Sequence, residues 1–209
     1  MAKVVAFKGA KKAAPDNILR KVPTRPKNRD VRSREHLLPD EVEALMKAAG
    51  SVGRHRLRDR VLILVGYWQG MKVSELVGLK WDQINLKAAQ MHINRLKNGS
   101  PATHPIEGDE LRLLRKLQRE YPDAPFVFTT ERGGPLTRST VSKLLTRAGE
   151  GADIPFPVHP HMLRHAAGYY LANKGVPTRT IQAYLGHKSI QHTVRYTELS
   201  SAAFGNLWS

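Results

Sequence analysis

At 209 residues the chain can bury one good core, alone or with a tail attached. Its 34 Lys and Arg against 18 Asp and Glu leave a net charge of +16, which suits a nucleic-acid partner, although ribosomal and membrane-surface proteins share such a charge. No apolar run approaches the roughly 20 residues of a membrane span, the N-terminus lacks the apolar centre of a signal peptide, and the absence of Cys fits a reducing compartment. A soluble, intracellular protein is expected.

Residues 1–34 hold eleven Lys and Arg against Asp16 and Asp30, a net of +9, with Pro15, Pro23 and Pro26 and little apolar content. The segment reads as a basic flexible arm ahead of a domain at 35–209. Lys21, Arg25, Lys27, Arg29, Arg32 and Arg34 are its candidate DNA contacts, and a solvated tail without a task is the competing reading. From Glu41 onward, Val42, Leu45 and Met46 fall at helix spacing. RLRDRVLILVGYWQG predicts a buried helix bounded by Gly70, and VSELVGL a short one with Trp81 packed beneath it. QMHINR and ATHPI predict two short strands around a turn at Asn98-Gly99. GDELRLLRKLQREY is amphipathic, with Leu111, Leu114 and Leu117 as its apolar row. Further helices are expected near 137–150, 160–174, 178–185, 189–195 and 198–207. The fold class is mainly α with a small antiparallel β-hairpin, and there is no room for a parallel α/β core.

The last third carries the chemistry. His161 and Arg164 stand i, i+3 in HPHMLRHAAGYYLAN, so an imidazole that can move a proton and a guanidinium matched to phosphate oxygens share a helix face. His187 follows Gly186, which should end the helix of IQAYL and leave the ring at a helix-end turn. Tyr196 comes nine residues later, and a tyrosine hydroxyl becomes a useful nucleophile only beside a base and a fixed phosphate. Each of these residues alone reads equally as a structural side chain; their ordered combination points to phosphoryl transfer. Five histidines within 34 residues raise a metal site as the competitor, but there is no Cys and no common His-rich zinc spacing. No metal and no cofactor are expected.

HPHMLRH, LGH and RYT resemble the second conserved box of the tyrosine recombinase, or phage integrase, family, and the resemblance runs from about Leu37 to the C-terminus. Within that family the chain is most like the small fimbrial phase-switch invertases, which are near this length and lack a separate core-binding domain. The resemblance implies that Tyr196 attacks the scissile phosphate and forms a 3′-phosphotyrosyl link. It implies that Arg164 neutralises the non-bridging oxygens, that His161 is general acid and base toward the tyrosine, and that His187 hydrogen-bonds the phosphate. Lys97, in NRLKNGS, matches the lysine that protonates the leaving 5′-oxygen, and Glu75 matches an accessory carboxylate. His165, one residue past Arg164, is expected to be a structural support. Lys72 departs from the pattern, because the family has its first phosphate-clamping arginine there.

The function so implied is site-specific recombination of DNA (integration, excision or inversion), as part of a mobile element or a switch, by four protomers on two duplexes. The chain is expected to be monomeric free in solution, to work in the bacterial cytoplasm at the nucleoid, and to use an accessory DNA-bending or recombinase partner. A DNA-binding regulator of the same fold, impaired in cleavage by Lys72, is the alternative, and a type IB topoisomerase a more distant one. Leu199, Phe204, Leu207 and Trp208 near the C-terminus suggest a tail that docks either on a neighbouring protomer or on its own domain.

Overall fold

The computed structural model describes residues 34–95 and 101–198. The arm residues Lys21, Arg25, Lys27, Arg29 and Arg32, the hairpin residues Lys97, Asn98 and Gly99, and the expected apolar tail lie outside the described residues. The helices in chain order are α1 (Pro39–Ser51), α2 (Arg56–Trp68), α3 (Val73–Val77), α4 (Gly108–Glu120), α5 (Arg138–Glu150), α6 (Pro160–Asn173), α7 (Thr178–Leu185) and α8 (Gln191–Glu198). Between α3 and α4 lie a 3-10 turn at Trp81–Gln83 and strands β1 (Ile84–Asn85), β2 (Gln90–Ile93) and β3 (Ala102–Pro105).

Pro39 takes the first helical position of α1, where a missing N–H is no loss, and Glu41 reaches back to accept the Leu38 N–H at 2.8 Å. Arg34 donates to the same Glu41 at 2.7 Å and lies 5.5 Å over the Phe156 ring, so it is tied to the folded domain. Helix α2 is buried along most of its length, with Val61, Leu62, Ile63 and Val65 fully enclosed where α1, α4 and α6 pack around it. The apolar run at 61–65 covers every side of the helix there and is stable only in such a position.

The sheet is antiparallel in the order β1-β2-β3, with Gln90 opposite Pro105 and Ile93 opposite Ala102. β1 goes beyond the expected hairpin: two residues are too few to show alternation. Met91 and Ile93 face the core, and Trp81 packs at its edge. Thr137 caps α5 by accepting the Thr140 N–H at 3.0 Å. The last described helix starts at Gln191, two residues later than expected, and runs on through Tyr196. Among the described residues no helix is long and apolar enough to cross a membrane.

One polar seam crosses this interior. Gln69 at the end of α2 donates to both carboxyl oxygens of Glu110 on α4 (2.8 and 3.1 Å), and its own oxygen lies 2.9 Å from His104 Nδ1 on β3. Glu110 is 1% exposed, and burial pushes its carboxyl up to about 8, so it is protonated in the folded protein at neutral pH. The unfolded chain holds that carboxyl ionised above its ordinary pKa near 4.5, so this group's contribution to stability falls as pH rises from 4.5 to 8. Glu110→Gln removes that penalty. The variant is expected to be more stable than the parent at pH 8 by on the order of 2–4 kcal/mol and nearly matched at pH 5. Urea unfolding of both proteins at the two pH values measures the gap, and one that does not widen contradicts the assignment.

Candidate active site

Arg164 lies in the second turn of α6 and is 3% exposed. Its Nη1 donates to the Gly70 carbonyl at 2.5 Å and its Nη2 to the Leu185 carbonyl at 2.7 Å. Those two carbonyls lie just ahead of Lys72 and His187, so a single guanidinium fixes the turn after α2 against the end of α7. Burial lowers its pKa to about 10, which leaves it charged at neutral pH. It lines a cleft of about 410 Å³ together with Lys72, His161, His165, His187 and Tyr196.

Lys72 immediately precedes α3, and its backbone N–H is capped by Glu75 Oε2 at 2.9 Å. Its ammonium stands 4.0 Å from Glu75 Oε1 and is 32% exposed. The same carboxylate receives Arg95 Nη1 at 3.0 Å, with both side chains wholly buried. Glu75 is thus both the N-terminal cap of α3 and the anion between two cations. Nothing in the spacing of NRLKNGS distinguishes Arg95 from the other basic residues of this chain.

Gly186 adopts φ 64°, the left-handed conformation that ends α7 and turns His187 toward the cleft. His187 Nδ1 is 2.8 Å from the hydroxyl of the buried Thr193. Burial and then the Arg164 charge depress the His187 ring to about 3, so it is neutral. In the tautomer with its proton on Nε2, Nδ1 accepts from the Thr193 hydroxyl and Nε2–H is left as a donor.

Tyr196, on α8, is 1% exposed. Its ring lies against Gly168 of α6, where a β-carbon would come within 2.6–2.8 Å of three ring atoms, and edge-on to Tyr169 at 5.0 Å. The hydroxyl is 2.8 Å from His165 Nδ1. Burial, followed by Arg195, His161 and Arg164, lowers the His165 ring to about 3, so a neutral imidazole shares one hydrogen bond with the tyrosine hydroxyl. His161, lowered by burial and then by Arg164, stands in the same cleft with its ring 6.3 Å from that of His165. The residue in contact with the tyrosine hydroxyl is therefore the one expected only to support the helix. Its signal was present in the spacing: His161, His165 and Gly168 continue one stripe at i, i+4 and i+7, the stripe against which Tyr196 rests.

Lys72, His161, Arg164, His187 and Tyr196 come together, with Glu75 behind Lys72. The arrangement sets a charged guanidinium, an ammonium and a neutral imidazole around a space beside a tyrosine hydroxyl that is hydrogen-bonded to a second neutral imidazole. That geometry suits attack on a phosphodiester. Among the described residues no group of three or more His, Cys, Asp or Glu is arranged to hold a metal ion.

Known proteins give the same outline. Residues 35–202 match the phage integrase family. The chain is 39% identical over 184 residues to the type 1 fimbriae regulatory protein FimB of Escherichia coli K12, across 86% of this chain and 92% of that protein. Its fold matches the XerA recombinase with a TM-score of 0.72 at 26% identity, covering 81% of this chain and 62% of that one. It also matches the XerH site-specific recombinase bound to its difH substrate before cleavage, with a TM-score of 0.68 at 23% identity, covering 78% of this chain and 50% of that one.

Proposed function

The chain belongs to the phage integrase family, and on that premise we propose that it cuts and rejoins DNA at specific sites through Tyr196. The Tyr196 oxygen attacks phosphorus, a 3′-phosphotyrosyl bond forms, and the bond to the 5′-oxygen breaks. The phenolic proton passes to a neutral imidazole, His165 in the resting site with His161 next on the same stripe. Arg164, Lys72 and His187 hold the non-bridging oxygens, and Lys97 gives the leaving 5′-oxygen its proton. Rejoining reverses these steps, and the phosphotyrosyl bond retains the energy of the phosphodiester, so no nucleotide or metal enters the balance. The observation that carries this reading is the Tyr196 hydroxyl held 2.8 Å from His165 Nδ1 in the cleft walled by Arg164, Lys72 and His187. Because Tyr196 is almost wholly enclosed, α8 has to shift for the hydroxyl to reach DNA.

The deciding experiment selects bound duplexes from a randomised pool, rebuilds the recovered site with a nick beside the cleavage position, and looks for a covalent protein–DNA adduct. Recovery of the adduct on the peptide holding Tyr196 is the expected result. An adduct on another residue, or a bound duplex that never becomes covalent even with Lys72→Arg, overturns the proposal. Assembly of protomers on paired sites follows from a reaction that exchanges strands between two duplexes, and DNA as substrate puts the protein at the bacterial nucleoid.

Residues 1–34, apart from Arg34, which Glu41 holds on the folded domain instead of leaving it to the arm, belong to the same proposal as a basic arm that follows the DNA backbone. Removing them is expected to weaken binding and to flatten the plot of log affinity against log salt by about 0.9 for each phosphate that the arm neutralises. Filter binding between 50 and 200 mM salt measures the slope, and an unchanged slope rejects this role for the arm.

A further inference from the structure

Arg95 lies two residues past the end of β2, yet its guanidinium reaches both Glu75 on α3 and the end of α7, beside the site. The side chain is fully buried. Nη1 donates to Glu75 at 3.0 Å, Nη2 donates to the Tyr184 carbonyl on α7, and Nε is buried with no hydrogen-bond partner among the described residues. The side chain also lies against Gly186, where a β-carbon would come within 2.9–3.0 Å of Cγ, Cδ and Nε, so the turn that delivers His187 is moulded on it. Its charge is felt by both Arg164 and His187.

We propose that Arg95 is a positioning residue for strand cleavage: it takes the Glu75 carboxylate as its own ion pair, so that the Lys72 ammonium serves the phosphate. This inference rests on the roles given above to Lys72 and Tyr196. A lone lysine has a long, flexible stem and a compact charge, and beside an unsatisfied buried carboxylate it would be drawn inward to a short ion pair. With Arg95 in place, Lys72 stands 4.0 Å from Glu75 at the border of the cleft, about a third exposed. Arg95 also holds the end of α7 through Tyr184, which sets the His187 turn opposite Lys72. One buried guanidinium thereby aligns two phosphate-facing groups without itself touching the phosphate.

The test measures single-turnover cleavage of the nicked duplex carrying the selected site, with affinity and thermal unfolding recorded for each protein. Arg95→Met is expected to slow cleavage about 100-fold, the scale of losing one preorganised donor, while affinity stays within about threefold. Adding Glu75→Gln removes the anion that would capture Lys72 and is expected to restore at least about tenfold of that loss. A purely structural role for Arg95 gives the reverse, with the double variant as slow as Arg95→Met or slower, and that outcome overturns the proposal. Should Arg95→Met not fold, Arg95→Lys keeps a cation for Glu75 and is expected to cleave within about tenfold of the parent; a loss as deep as 100-fold in that folded variant also overturns it. Cleavage by the parent with no change on Arg95→Met rejects this inference alone, whereas absence of adduct from every chain, Lys72→Arg included, rejects the reading on which it rests.

Discussion

Lys72→Arg should speed strand cleavage by about 10² to 10³-fold while leaving affinity for DNA within about threefold. The site supplies the reason. Lys72 opens toward the cleft beside Arg164, and a lysine brings one point charge where a guanidinium brings a planar fork. Ground-state binding depends mainly on total charge, which the substitution keeps. The transition state gathers charge on both non-bridging oxygens at fixed positions, and there two parallel donors are worth more than one. The variant also has a place to sit, because the capping bond from the residue-72 N–H to Glu75 is a backbone contact that any side chain retains. Single-turnover rates on the same nicked duplex measure the difference. An unchanged or slower rate would show a site built around lysine, with Arg95 completing it. Tight specific binding with no adduct from either protein would instead favour a regulator that occupies sites without cutting them.

Much of this site was legible in the sequence because its parts sit at fixed spacings on regular elements. His161 and Arg164 share a helix face whatever surrounds them, and Gly186 forces the turn that presents His187. Helices α2, α4 and α6 were equally open to reading, since long periodic runs leave little choice of element. What the sequence concealed depends on partners distant in the chain. Arg95 acquires its meaning from Glu75, 20 residues back, and from Tyr184, 89 residues on; before folding it is one of 34 cationic residues. Glu110 lies four residues ahead of Leu114 and seven ahead of Leu117, on the buried stripe of α4, but a carboxylate reads as solvent-facing until Gln69 is seen to meet it. His165 reads differently against different neighbours. Compared with Arg164, one residue away, it falls on another face; compared with His161, four residues away, it falls on the same one.

Arg164 is the residue whose loss should cost most, because it has two tasks. Arg164→Ala empties a buried site and leaves the Gly70 and Leu185 carbonyls without their donor, which is expected to destabilise the protein by about 2–5 kcal/mol. The same change removes the guanidinium from the cleft, and cleavage should fall by at least about 10³-fold. Arg164→Lys keeps the charge and can still donate to one of the two carbonyls, so most of the stability should return, with a deficit of about 1–2 kcal/mol. Cleavage should not return with it, because a single ammonium cannot hold both carbonyls and a phosphate oxygen together. The turn after α2 and the end of α7 would then lose their shared anchor, and Lys72 and His187 would no longer face the same phosphate. Thermal unfolding and single-turnover cleavage of the two variants decide the matter. If the lysine variant regains rate in proportion to stability, a charge with one anchoring bond is enough here; if stability returns and rate does not, the planar guanidinium is needed to hold both carbonyls and the phosphate together.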